Sequence, residues 1–302
     1  MAYPTPQVTN TTAAVFIPEI WSDEVIAAYK SNLVAANVFK KMSFKGKKGD
    51  VIHIPKPTRG NASVKASEAP VTLIADTETE VLVNIDKHYE YSRFIEDITE
   101  VQALASMRRF YTDDAGYALA KQVDTDMVQL GRVMNGGDGT ADYDAGYTGT
   151  DGSELYDGTN AGALTDIAIR NVIQKLDDQD VPTSGRFFLV PPSARNTLMG
   201  LDRYTAMDFV GEAASANTIR NGQIGNLYGI PVYVTSNADT TTGGDRVCLM
   251  GQKDAAVLVE QLGVRSQVQY KQDYLSTLYT SDTIYGVQAL RPDSAFGLVV
   301  PA

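Results

Sequence analysis

The chain is poor in the residues that do most protein chemistry: one cysteine, one tryptophan and two histidines in 302 residues. A single cysteine, Cys248, excludes an intramolecular disulfide framework and fits a reducing compartment. Its flanks, Arg246-Val247 and Leu249-Met250, have strand character, so the thiol is expected to be buried and inert. No Cys or second His stands at metal-ligand spacing from His53 or His88, and on extended segments both are expected to satisfy surface hydrogen bonds. Positive charge is scarce too: 26 Lys and Arg stand against 37 Asp and Glu, for a net charge of −11. That balance excludes a surface devoted to nucleic acid phosphates, while leaving room for a local basic patch. No apolar run approaches the ~18–20 residues that a membrane-spanning helix needs. Met1-Ala2-Tyr3-Pro4-Thr5 lacks the basic start and apolar core of a secretion signal, so a cytoplasmic product is expected. There is no Gly-x-Ser-x-Gly elbow, no Walker loop and no His-Glu-x-x-His. Gly222, Gly225 and Gly229 precede Ile230-Pro231 and so introduce a strand, whereas a dinucleotide fingerprint opens a helix. No catalytic, cofactor-binding or metal-binding residue is identified, and no enzyme activity is expected.

What the chain does have is one long helical pattern, from Asp97 to Met134. Leu104, Met107, Tyr111, Ala115, Leu119, Val123, Met127, Leu130 and Met134 recur every three or four residues and so share a face. Arg108, Asp113, Asp114, Asp124 and Arg132 are expected mostly elsewhere around it. Asp97 with Glu100 suggests a capping box, and Asn135-Gly136-Gly137 supplies the stop. Uninterrupted, the run would be a strut of roughly 55 Å at about 1.5 Å per residue.

The segment before the strut reads as extended. Residues 1–20 form a polar arm, and 23–34 an amphipathic helix that starts at Trp21 and anchors either on its own domain or on a neighbouring subunit. Phe39–Lys48 carries Lys40, Lys41, Lys45, Lys47 and Lys48 with no arginine and only Phe44 among them, which favours a solvated turn or a patch facing acidic residues of another subunit over nucleic acid. Residues 49–95 alternate as a long hairpin with strands at 50–56, 71–74 and 80–95 and a small-residue tip at 58–70. An isolated two-stranded ribbon is marginal in water, so this one needs a surface to lie on.

After the strut, 135–163 is rich in Gly, Asp, Thr and Tyr. Asp138, Asp142, Asp144, Asp151 and Asp157 invite a calcium loop, but the EF-hand order is missing and an exposed loop is expected. A helix follows over 165–176 with Ile167, Val172, Ile173 and Leu176 inward, then strands at 186–190, 232–235, 246–250 and 255–259. Residues 263–300 are extended, with 286–290 and 296–300 the clearest strands.

This order of parts resembles the HK97-type major capsid protein of tailed bacteriophages. Three places carry the resemblance: Pro18-Glu19-Ile20-Trp21-Ser22; Phe187-Phe188-Leu189-Val190-Pro191-Pro192 with Gly225-Asn226-Leu227-Tyr228-Gly229-Ile230-Pro231-Val232-Tyr233; and Tyr285-Gly286-Val287-Gln288 with Phe296-Gly297-Leu298-Val299-Val300. The resemblance implies an α+β HK97-like fold. Residues 1–44 would be the N-arm and 45–80 the E-loop across an adjacent subunit. Residues 81–163 and 264–302 would form the peripheral domain, with spine helix 97–134 and inserted loop 136–163, and 165–263 the axial domain. It implies self-assembly as hexamers and pentamers into an icosahedral virion shell around double-stranded DNA, built in the bacterial cytoplasm. Inter-subunit contacts would come from Trp21, Lys45, Lys47, Lys48, Lys56, Arg59, Lys65 and Glu68. No cofactor and no membrane is implied. A separate scaffolding protein, a portal, decoration proteins and weak non-specific DNA contact complete the expected partners. Lys56 and Lys65 lie on the E-loop, but no Asn is marked as a cross-linking partner, so non-covalent stabilisation is expected. The alternatives are an encapsulin-type nanocompartment shell and, from another class, a calcium-assisted acidic surface-binding protein.

Overall fold

A computed structural model describes residues 35–46, 48–56, 60–65, 67–68, 70–71, 73, 78–97, 107–142, 146–201 and 226–302. The expected arm and its helix, Leu104, the Glu100 half of the capping box, and 202–225 lie outside them. The chain runs α1 (Ala35–Val38), β1 (Lys40–Ser43), β2 (Val51–Lys56), β3 (Thr79–Asn84), β4 (Lys87–Glu96) and α2 (Met107–Gln129), then a 3-10 segment, Leu130–Gly136. Next come α3 (Asp166–Asp178), β5 (Arg186–Val190), α4 (Pro192–Met199), β6 (Asn226–Leu227), β7 (Ile230–Val234), β8 (Arg246–Gln252), β9 (Ala256–Lys271), β10 (Ser276–Ala289) and β11 (Ala295–Val300).

The strands form a four-stranded sheet, β1-β9-β10-β4, a five-stranded sheet, β11-β8-β5-β7-β6, and the separate hairpin β2-β3. β1 is parallel to β9 and β5 to β7; the other pairings are antiparallel. This membership departs from the expected division at 264, which falls inside β9. All of β9 belongs to the four-stranded sheet, and β11 joins the other sheet beside β8.

Period-two side-chain alternation explains how β5 and β8 serve two cores. Phe187, Leu189 and Leu249 join the cluster around α2, with Phe39 edge-on to Phe187 at 4.8 Å between ring centres. Phe188, Val190, Cys248 and Met250 point the other way, into a cluster with Ala168, Ile169, Val172 and Leu176 of α3 and Leu198 of α4. Cys248 is fully buried, and burial pushes its thiol well up. Thr165 caps α3 by accepting the Ala168 amide at 3.2 Å. The inward face of α3 is set by Ile169, and Ile167 is exposed instead. Arg186, buried at the start of β5, meets Asp177 at 2.6 Å, which gives the acidic end of α3 a cationic partner.

The strut is shorter than its pattern. Regular helix stops at Gln129, and Met134 (φ −74°, ψ 159°) and Asn135 (φ 52°, ψ 33°) have left helical geometry. At Gly131 the backbone approaches its neighbours closely; an added Cβ would stand 3.2 Å from Leu249 and 3.5 Å from Tyr147. Ala115, Leu119, Val123, Met127 and Met134 are buried as the pattern predicts. Asp124 and Asp126, however, are buried with them, against the expectation for Asp124. Each has a task. Asp124 accepts the Ala35 amide at 2.7 Å and Asn237 Nδ2 at 3.1 Å, which ties α1 and the turn after β7 to the helix. Asp126 accepts the Tyr285 hydroxyl at 2.7 Å, lies 3.0 Å from Lys87 Nζ and takes Gln122 Nε2 at 3.1 Å, which ties in β10 and β4. The Asp97 carboxylate accepts the Tyr270 hydroxyl at 2.7 Å.

Truncating Asp124 to Ala strips the buried Ala35 amide of its acceptor, and is expected to cost about 2–3 kcal/mol. Urea unfolding of the purified protein measures it; a loss below about 0.5 kcal/mol, the range of a neutral surface change, would refute the role given to this carboxylate.

Candidate assembly interface

The hairpin β2-β3 is anchored at its base and bare at its tip. Ile52, Ile54, Val83, Ile85 and Phe44 pack with Val257, Val259 and Ile284 of the four-stranded sheet. Gln261 Nε2 donates to the Gly49 carbonyl at 2.8 Å, and the Ile85 amide donates to the Asp50 carbonyl at 2.8 Å. Asn84 runs so close to Gly286 that any Cβ there would collide with the Asn84 carbonyl. The ribbon's surface is thus partly its own sheet. Further out, every described residue from 60 to 73 is exposed, including Val64 (98% accessible), Val71 (66%) and Leu73 (87%). Val71 and Leu73 are not paired as a strand, so the paired hairpin is shorter than the sequence pattern.

Of the expected contact residues, Trp21, Lys47 and Arg59 lie outside the described residues. Lys45 reaches a carboxylate of its own chain, Glu260, at 3.6 Å, and Lys40 reaches Asp254 at 3.7 Å. The expectation of a solvated turn or a patch facing a neighbour's acids is therefore corrected for these two, which meet acids of their own chain: β1 lies against β9, with Asp254 just before that strand and Glu260 opposite Ser43 within it. Lys48, Lys56, Lys65 and Glu68 are exposed, strung along the limb rather than gathered at one point, with Glu68 at φ 63°. The histidines behave as expected on strands: His53 Nδ1 is 2.9 Å from Glu80, and His88 Nε2 is 3.3 Å from Asp282.

The acidic loop is not simply exposed. Its middle lies on β11: the Thr148 amide donates to the Gly297 carbonyl at 2.7 Å, and the Val299 amide donates to the Thr148 carbonyl at 2.9 Å. Tyr147 is buried against Gly297, which has no side chain to obstruct the ring. The Tyr147 hydroxyl donates to Asp239, whose carboxylate also takes Arg132 bidentately at 2.7 and 2.6 Å. Asp239 raises the Arg132 pKa, while burial first and Asp239 second push the Tyr147 hydroxyl well up. This latch holds the loop, the end of the strut and the segment after β7 together.

The acidic residues between follow a repeat that sequence reading passed over: Asp138-Gly139-Thr140, Asp151-Gly152-Ser153 and Asp157-Gly158-Thr159. In each, the carboxylate accepts the amide two residues on, at 2.8, 3.0 and 2.8 Å, and that residue's hydroxyl as well. The glycines between sit at φ 91°, 70° and 89°, a left-handed conformation that disfavours a side chain. These carboxylates therefore serve their own turns, and among the described residues no group of three His, Cys, Asp or Glu is placed to hold a metal ion. The amide and then the hydroxyl at Thr140 and Thr159, and the hydroxyl and then the amide at Ser153, hold the three carboxyls below their ordinary pKa.

Two sheets sharing an apolar strut, with a hairpin limb carried off one of them, define the HK97-like capsid fold. The phage capsid protein family model matches residues 94–297, and the chain belongs to that family as a structural capsid protein of the virion. No curated protein matches the chain. Among solved structures it is similar to one from Mycobacterium phage Che8, with a TM-score of 0.70 and 23% identity over 88% of this chain and 90% of that one. It is also similar to the capsid structure of cyanophage P-SCSP1u, with a TM-score of 0.67 and 20% identity over 87% and 86%. A virus-like particle from Pyrococcus furiosus aligns less well, with a TM-score of 0.53 and 9% identity over 93% and 98%. At these identities the likeness establishes the fold.

Because their carboxyls titrate low, the three turns contribute stability that is complete above the unfolded carboxylate value of about 3.9 and is lost as pH falls through the lower folded values. Hydrogen exchange at the Thr140, Ser153 and Thr159 amides should remain slow at pH 4 and quicken below it. Joint Asp→Asn replacement at 138, 151 and 157 keeps an acceptor oxygen and should erase that pH response; an unchanged response would assign it elsewhere.

Proposed function

We propose that the chain assembles as hexamers and pentamers into a closed icosahedral shell around double-stranded DNA, formed in the cytoplasm of the host. The observation that carries this is the family membership joined to a limb that leaves Val64, Val71 and Leu73 in water. Apolar side chains on an extended tip gain burial only against another body. In this reading residues 1–44 act as the N-arm and 45–80 as the E-loop laid over an adjacent subunit, with Trp21, Lys47, Lys48, Lys56, Arg59, Lys65 and Glu68 among the contacts. The four-stranded sheet with α2 serves as the peripheral domain and the five-stranded sheet as the axial domain. Scaffolding, portal and decoration proteins are its partners, and packaged DNA is touched weakly and without sequence preference, as the net charge of −11 favours.

Size-exclusion chromatography and negative-stain microscopy of the purified protein, with and without a candidate scaffolding protein, test the proposal. Hexamers, pentamers or closed shells are the expected species. A monomer under every condition would rule the assembly out.

A further inference from the structure

The chain divides its charge sharply. From Lys40 to Lys65 it carries eight Lys or Arg against one acid, Asp50, so this stretch is +7. Everything else holds 18 Lys or Arg against 36 Asp or Glu and is −18. Lys40 and Lys45 are taken up by Asp254 and Glu260 of the same chain. Lys48, Lys56 and Lys65 stand exposed along the limb, and no ion pair within the described residues engages them. Ions this exposed contribute little to folding.

We propose that the limb is held to a second copy of this chain by charge: Lys48, Lys56 and Lys65 meet carboxylates on the acidic body of the neighbour, while Val64, Val71 and Leu73 supply the apolar contact. The inference rests on the reading of 45–80 as a limb laid over an adjacent subunit, and adds what drives and regulates that contact. Every copy carries both signs on different parts, so the attraction is head-to-tail, and a head-to-tail contact whose rotation closes makes a ring. Opposed potentials also steer encounter and set register, and they weaken as salt shortens the Debye length from about 10 Å at 0.1 M to about 3 Å at 1 M. A nucleic acid fits the limb less well. The stretch has a single arginine, Arg59, and its one aromatic, Phe44, packs at the base of the hairpin and offers no stacking surface to a strand, while the three bare aliphatic side chains gain nothing from a phosphate backbone.

The test uses the full chain and sedimentation velocity, reading the protein concentration at which assembly begins. Between 50 and 500 mM NaCl that threshold should rise on the order of tenfold. K48E/K56E/K65E should raise it at least as far at 50 mM NaCl, and K48R/K56R/K65R should leave it unchanged. Because the three lysines are exposed and pair with no acid among the described residues, far-ultraviolet circular dichroism and the thermal midpoint of the Glu variant should match the wild type. Carbodiimide treatment of shells mixed from light and nitrogen-15-labelled copies should join Lys48, Lys56 or Lys65 of one copy to an Asp or Glu of another. Assembly of the Glu variant at the wild-type threshold, where deletion of 60–73 abolishes it, would overturn the charge mechanism and leave the limb reading standing. Normal assembly after that deletion would overturn both. A Glu variant that assembles normally yet retains less DNA would assign the lysines to nucleic acid and overturn the proposal.

Discussion

Burying a carboxylate is costly unless its oxygens are met, and this fold is arranged around three that are. Asp124 and Asp126 on α2 and Asp239 after β7 each accept from more than one element, so the strut cannot sit in its apolar bed unless α1, β4, β10 and the inserted loop come to it. Apolar packing is non-directional and would tolerate a rotated or slipped helix; the acceptor geometry would not. The helix is a strut because it is apolar, and a positioned strut because of its acids.

The hairpin shows the opposite economy. Where it leaves the sheet, Ile52, Val83 and Ile85 are tucked against Val257 and Val259, and the backbone is tied at Gly49 and Asp50. Among the described residues from 60 to 73 it makes no such provision. A segment with apolar and cationic side chains held out in water is poorly stabilised on its own, and its ordering is completed by what it meets. In the proposed assembly the same chain then contains a part that folds for itself and a part that is completed by its neighbour.

Much of this was legible in the residues. The three- and four-residue spacing placed α2, and the short apolar run at 186–190 placed β5. The order of parts pointed to the capsid fold. What escaped has physical reasons. In the 3-10 stretch 130–136, Gly131 packs against Tyr147 and Leu249 from far along the chain, and no local pattern encodes that contact. Asp124 and Asp126 look like surface residues until their partners, 89 and 159 positions away, are known. Burial of Tyr147 depends on Gly297, in the last strand. The Asp-Gly-Thr and Asp-Gly-Ser repeat was readable, but acids counted as a cluster conceal what each does for its own turn. Of the interface, the limb was legible and the internal pairing of Lys40 and Lys45 was not, because it depends on the parallel register of β1 with β9.

The alternation in β5 and β8 has a mechanical meaning. Phe187 and Phe188 are adjacent in the chain yet belong to different cores, so one pair of strands is a party wall between two rooms. Neither room can be deformed without pushing on the other, and the body of the subunit must tilt as a single plate. If copies are joined through the limb as proposed, a change of curvature between five- and six-fold positions is taken up by the limb and leaves the wall untouched.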